Sequence, residues 1–288
     1  MIWAILSVLS GLGDAICFAA MKKISNLDEH LILALRYFIP VPILFLLLFY
    51  YDVPKVSLYF YFIVFVNVAI TLAAMFLMIK SFKSTDLSIS IPMLSFSPIF
   101  LLFTSYILLN ELPSLAGFIG IVVVVIGSYV LNLSSISVGY LEPFKIMLKN
   151  RGIFYMIIVA FLYSFTATIS KIGIRLSNPA YFVLMNYLIA SVILFALFFN
   201  KLKRNLHAVN NLKYAKPVFI LGVSAAFTEF TYAIAVNFAI VPYIISLKRT
   251  SVIFSVLIGI FLFKEKNFRE KISGALIMII GAAMILLS

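Results

Sequence analysis

Ten apolar runs of about 20 residues, separated by short polar connectors, dominate the chain. Twenty residues coiled as a helix match the ~30 Å hydrocarbon core of a bilayer. The runs fall at about residues 2–21, 31–50, 58–80, 88–109, 114–132, 153–173, 179–199, 217–238, 241–263 and 270–287. Charged residues make up only 11% of the 288, against roughly 25% in a soluble domain. A water-soluble particle needs a polar shell that this chain cannot supply, so lipid is its solvent. Backbone in lipid must satisfy its own hydrogen bonds, and runs of this length do so as helices. The expected fold class is an all-α integral membrane protein with ten transmembrane helices, multi-pass, in the cell membrane.

Several function classes drop out on residue chemistry. The net charge of +12 comes from Lys and Arg scattered through the connectors, with no basic domain or aromatic-interleaved strip, so no nucleic-acid partner is expected. His30 and His207 both lie in connectors, which argues against a His-based metal site, and no cofactor is expected. The single cysteine, Cys17, sits in an apolar run and allows no intrachain disulfide. Residues 1–20 lack a basic leader segment and contain Asp14, so they read as the first span rather than a cleaved signal. No span holds a histidine, a Gly-x-Ser-x-Gly elbow or a His-Glu-x-x-His site, and Asp14 is the only intramembrane aspartate. An enzyme is therefore not expected, and an intramembrane enzyme stands only as a remote alternative.

An internal repeat organises the ten runs. Glu111, Gly120 and Gly127 recur as Glu265, Gly274 and Gly281, each 154 residues later. Tyr37, Ile39, Ile43, Leu44 and Phe45 answer Tyr187, Ile189, Ile193, Leu194 and Phe195, and Lys22 answers Lys171. Residues 1–132 and 153–288 are thus two five-helix repeats joined by a connector at 133–152, where Glu142, Pro143, Lys145 and Lys149 suit an interfacial helix. Five crossings per copy make the second copy start on the opposite face, so the halves must be inverted. Inverted repeats place a substrate site near the midplane between the halves and give alternating access, which is the argument for a secondary transporter.

With these acid-to-glycine frames, the run Ser95-Phe96-Ser97-Pro98, Arg36 and the two repeat lysines, the sequence resembles the drug/metabolite transporter superfamily, and within it the EamA-type ten-helix transporters. The resemblance covers the whole chain. It implies a carrier of a small molecule, with spans five and ten at the periphery and a cavity built by spans one, three, four, six, eight and nine. Some members of the superfamily move lipid carriers, so a flippase is the alternative; an enclosed polar cavity favours soluble cargo. The partners expected are a small-molecule substrate and the surrounding lipid, and nothing in the sequence identifies a protein partner.

An ionisable residue inside a span costs roughly 2.5–3.5 kcal/mol on insertion scales, so each needs a reason. Asp14 in span one, Glu229 in span eight, and Lys248 and Arg249 in span nine either pair with one another or line a polar cavity. Four such charges exceed what packing requires, which favours the cavity. Lys248-Arg249 resembles a dipeptide that grips phosphate in the plastid-type phosphate-sugar translocators, remote superfamily members in which a lysine ending span six assists. The segment Ser164-Phe165-Thr166 to Ser170-Lys171 is similar to that second region, which adds Lys171. Tyr232 shares a helical face with Glu229 and is placed to bond a ligand or orient the carboxylate. The candidate substrate-binding set is therefore Lys248, Arg249, Glu229, Tyr232, Lys171 and Asp14, with an anionic or zwitterionic cargo and Glu229 as the resting partner of the two cations. Arg36 and Lys80 read as snorkelling near span ends, and Asn67 as an interhelical bond.

Orientation follows from the connectors. Those on the side of the termini hold three basic residues, Lys55, Lys171 and Arg175, whereas the opposite connectors hold 16 of the 22. The positive-inside rule puts both termini outside the cytoplasm. A cysteine added at either terminus of a Cys17→Ala protein should react with an impermeant maleimide in intact cells; protection until lysis reverses the assignment.

Overall fold

The computed structural model describes residues 1–85, 90–133, 150–205, 212–263 and 268–288. Among these residues every regular element is helical. Span one is Ile2–Lys23, span three Leu58–Ser84, span five Leu115–Leu133, span six Arg151–Arg175, span seven Pro179–Asn205, span eight Leu212–Ala235 and span ten Phe268–Leu286. Six stretches of the described residues are long and apolar enough to cross a membrane by length and composition. The proposed connector helix at 133–152 and the repeat acid Glu265 fall almost wholly or wholly outside the described residues.

Spans two, four and nine are interrupted, and span seven is kinked at Phe198. Span two runs Glu29–Phe38, then Pro40–Leu46, then a 3-10 turn Leu47–Phe49, and Pro40 opens its second piece. In the described part of span four a 3-10 segment, Ile91–Phe96, precedes Ser97–Leu109, with Pro92 and Pro98 near the start of each piece. Span nine divides into Val241–Lys248 and Ser251–Phe263, with Arg249 and Thr250 at the break. Arg249 and Thr250 correspond to Ser95 and Phe96 under the 154-residue offset, so both halves interrupt their fourth span at the same repeat position.

Packing follows the repeat as well. Span one lies against span eight and span six against span three, and exchanging the halves turns one contact into the other. Contacts of two with seven, four with nine and five with ten map onto themselves. The architecture is therefore two inverted five-helix repeats related by a pseudo-two-fold axis. Atomic detail repeats too. Lys22 donates to the carbonyls of Phe82 (2.7 Å) and Thr85 (3.0 Å) at the end of span three. Lys171 donates to the Ala239 carbonyl (2.7 Å) just beyond span eight, 154 residues after Thr85. Each lysine thus sets its ammonium against backbone carbonyls at or just beyond the end of a span, where the helix dipole favours a cation.

Spans five and ten meet glycine to glycine. A Cβ on Gly127 would stand 2.6 Å from the Met278 nitrogen and 2.9 Å from the Gly274 carbonyl, and one on Gly281 2.7 Å from the Val124 nitrogen. In lipid, where apolar burial gives helices no special attraction, such backbone approach supplies the dispersion contacts. The side chains facing outward are large and apolar: Phe62, Phe65, Phe103 and Val192 are each more than half exposed. Gly127→Ala should destabilise the protein by about 1–3 kcal/mol, because backbone rather than a mobile side chain opposes the new methyl. Thermal unfolding in detergent reads this, with the lipid-facing Ile126→Ala as the neutral comparison.

Candidate functional site

A cavity of about 100 Å³ lies between the halves. Its charged lining is Asp14, Arg36, Glu229, Lys248 and Arg249; Asn67 and Asn186 add amides, and Tyr37, Tyr163, Tyr187 and Tyr232 add aromatic walls. Spans one, two, three, six, seven, eight and nine contribute. Spans two and seven thus belong to the cavity against expectation. The reason is local: Arg36 and Tyr37 sit on the first piece of span two, one turn before the Pro40 break, opposite Asn186 and Tyr187 on span seven.

The buried charges form two pairs. Lys248 Nζ is 3.4 Å from Asp14 Oδ2, and its ammonium stands 5.1 Å from the centre of the Tyr232 ring. Arg36 lies 3.9 Å from Glu229 Oε1, donates to the Tyr187 hydroxyl and stands 5.7 and 5.6 Å from the ring centres of Tyr37 and Tyr187, which touch each other. The sequence expectation that Glu229 would hold the cations of span nine is therefore corrected: Asp14 takes Lys248, because span one packs on both span eight and span nine. Gly11 brings the two backbones together, its would-be Cβ falling 2.6 Å from the Lys248 carbonyl. Glu229 is the more accessible acid, its side chain 36% exposed against 11% for Asp14.

Arg249 is different. It is 3% exposed, its Nε donates to Ser97 Oγ at 3.1 Å, and among the described residues no carboxylate lies within ion-pair distance of it. That bond joins the break of span nine to the start of the second piece of span four, so the two repeat-related interruptions meet at a guanidinium. Lys248 ends one helical piece, where the helix dipole favours a cation.

Two of the sequence candidates sit otherwise than expected. Tyr232 lines the cavity, but its hydroxyl donates to the Ala167 carbonyl (3.1 Å) and does not reach Glu229. Lys171 is absent from the cavity lining. Its ammonium lies 2.7 Å from Glu111 Oε1, and Arg175 reaches the same oxygen at 3.4 Å. The other oxygen, Glu111 Oε2, accepts from the Val241 nitrogen (3.0 Å) at the start of span nine. Left-handed Asn110 turns the chain at the end of span four and delivers Glu111 to this point. Arg36 and Asn67 line the cavity although sequence reasoning gave them structural roles; Asn67 donates to Asn186 (2.7 Å) across the halves. The usable signal was the repeat itself, which aligns Arg36-Tyr37 with Asn186-Tyr187.

A model of the EamA-like transporter family matches residues 1–133 and 150–287. The chain belongs to this family. It is therefore a multi-pass membrane protein of a transporter family. A solved crystal structure shares the fold, with a TM-score of 0.76, 15% identity, and coverage of 99% of this chain and 98% of that one. No curated protein matches the chain.

The charge pairing makes a stability prediction. Asp14→Asn should cost about 3–5 kcal/mol by leaving Lys248 buried without its partner, and the double variant Asp14→Leu/Lys248→Met should recover most of it. Unfolding in detergent distinguishes the cases; a double variant no more stable than Asp14→Asn breaks the pairing argument.

Proposed function

We propose that the chain is a secondary transporter of a small polar metabolite bearing a carboxylate or phosphate, carried by alternating access of the two inverted halves. The observation behind this is the charge inventory of the cavity: among the described residues three cations face two carboxylates, both already engaged, and Arg249 is left over. A buried guanidinium without a counter-charge is costly, and its planar fork suits an oxyanion with two acceptor oxygens. A ligand carboxylate or phosphate supplies the missing charge, with Lys248 beside it. Glu229, held loosely by Arg36, is the group placed to accept an ammonium of a zwitterionic cargo or a proton. The polar lining favours soluble cargo over a lipid carrier.

Alternation needs a closure on each face. In this proposal Glu111 is the closure on the face of the termini: one carboxylate ties Lys171 and Arg175 of span six to the start of span nine. Breaking these contacts lets the fourth and ninth spans hinge at their matched interruptions.

Arg249→Gln should weaken binding of the anionic ligand by about 2–5 kcal/mol, which is about 30-fold or more, while the protein stays monodisperse. Screening purified protein by thermal shift against metabolites grouped by charge reads this directly. Stabilisation by anions that persists in Arg249→Gln overturns the assignment. Glu229→Gln should flatten the pH dependence of uptake into proteoliposomes, and an unchanged profile removes Glu229 from the coupling.

A further inference from the structure

A second cavity, of about 720 Å³, opens on the other side of span one, between spans one, eight and nine. Asp14 and Phe18 face the central cavity, whereas Ile16, Ala20 and Lys23 line this groove. At 100° per residue these two sets lie on opposite sides of the helix. The groove is built by absence of bulk: Ala19 and Ala20 are small, and Ile220, Leu257 and Ile258 complete an apolar floor. Its rim is basic. Lys23 ends span one, and Lys213 and Lys216 lie near the start of span eight; all three are exposed. Tyr214 stands among them.

The two chemistries are layered along the bilayer normal. Ile16 lies seven residues before Lys23, about 10 Å deeper along the helix, so lysines at headgroup level stand over an apolar slot at acyl-chain level. The rim belongs to the side with most of the connector Lys and Arg, where the positive-inside rule places the cytoplasmic leaflet with its anionic lipids. A soluble anion has no use for the floor, and a zwitterionic lipid gains little from three ammonium groups.

We propose that this groove is a binding site for an anionic phospholipid, its phosphate held by Lys23, Lys213 and Lys216 and one acyl chain lying against Ile16, Ile220 and Leu257. The chain then rests on the second piece of span nine, beyond the Arg249 break, and the lipid holds that piece against span one.

The test uses purified, delipidated full-length protein with phosphatidylglycerol, phosphatidylcholine of the same acyl chains, or glycerol phosphate, read by native mass spectrometry and thermal unfolding. Phosphatidylglycerol should stay bound and raise the unfolding temperature, and the other two should not. Replacing the three lysines together (K23Q, K213Q, K216Q) should weaken phosphatidylglycerol by about 100-fold. Ile220→Trp, which fills the floor and keeps every lysine, should also lower its binding. Equal binding of both phospholipids, glycerol phosphate acting as well as the lipid, a lysine-depleted protein that keeps its preference, or Ile220→Trp binding normally would each overturn the proposal.

Discussion

Charge compensation in a low-dielectric medium is the constraint on which this molecule turns. A lone ammonium or carboxylate among lipid-solvated helices is expensive, so each buried charge selects which helix its own helix must touch. Asp14 binds span one to span nine through Lys248, Arg36 binds span two to span eight through Glu229, and Glu111 binds the end of span four to span six through Lys171. Apolar side chains give little such direction, because a lipid tail is as good a neighbour as another leucine. The polar pairs therefore set partner choice, and glycine faces such as those of spans five and ten set closeness.

Duplication supplies the second constraint. Because the halves share one fold in opposite orientations, backbone features of one half have counterparts in the other related by the pseudo-two-fold rotation, as the lysine contacts at Thr85 and Ala239 illustrate. The site departs from this symmetry. Where span nine presents Lys248 and Arg249 at its interruption, span four presents Leu94 and Ser95; where span two presents Arg36, span seven presents Asn186. The scaffold kept its pseudo-symmetry while the charges of the cavity became one-sided.

Much of the fold was legible in the sequence because its signals are local. Run length gave the helices, and the Glu111 to Gly127 spacing repeated at Glu265 to Gly281 gave the duplication. The cost of burying ions pointed to Asp14, Glu229, Lys248 and Arg249, all of which line the cavity. Pairing was not legible, since it depends on which helices touch: Glu229 is nearer to Lys248 in sequence, yet Asp14 is its partner. Arg36 escaped because distance from a span end is a poor guide once Pro40 breaks the span just beyond it. Lys171 lies apart from the cavity lining: its match to a phosphate-binding lysine is a resemblance of segments, and its ammonium contacts Glu111.

The central claim, that the two faces open in alternation around one charged cavity, is tested most directly by pulsed electron paramagnetic resonance with spin-label pairs spanning the halves. One pair, Leu112 with Asn237, reports the face of the termini, and another, Lys83 with Lys203, reports the opposite face; all four positions are exposed. In nanodiscs, Glu111→Gln should lengthen the first distance and shorten the second. Distances that move in the same sense, or that stay unchanged on both faces, would contradict the account.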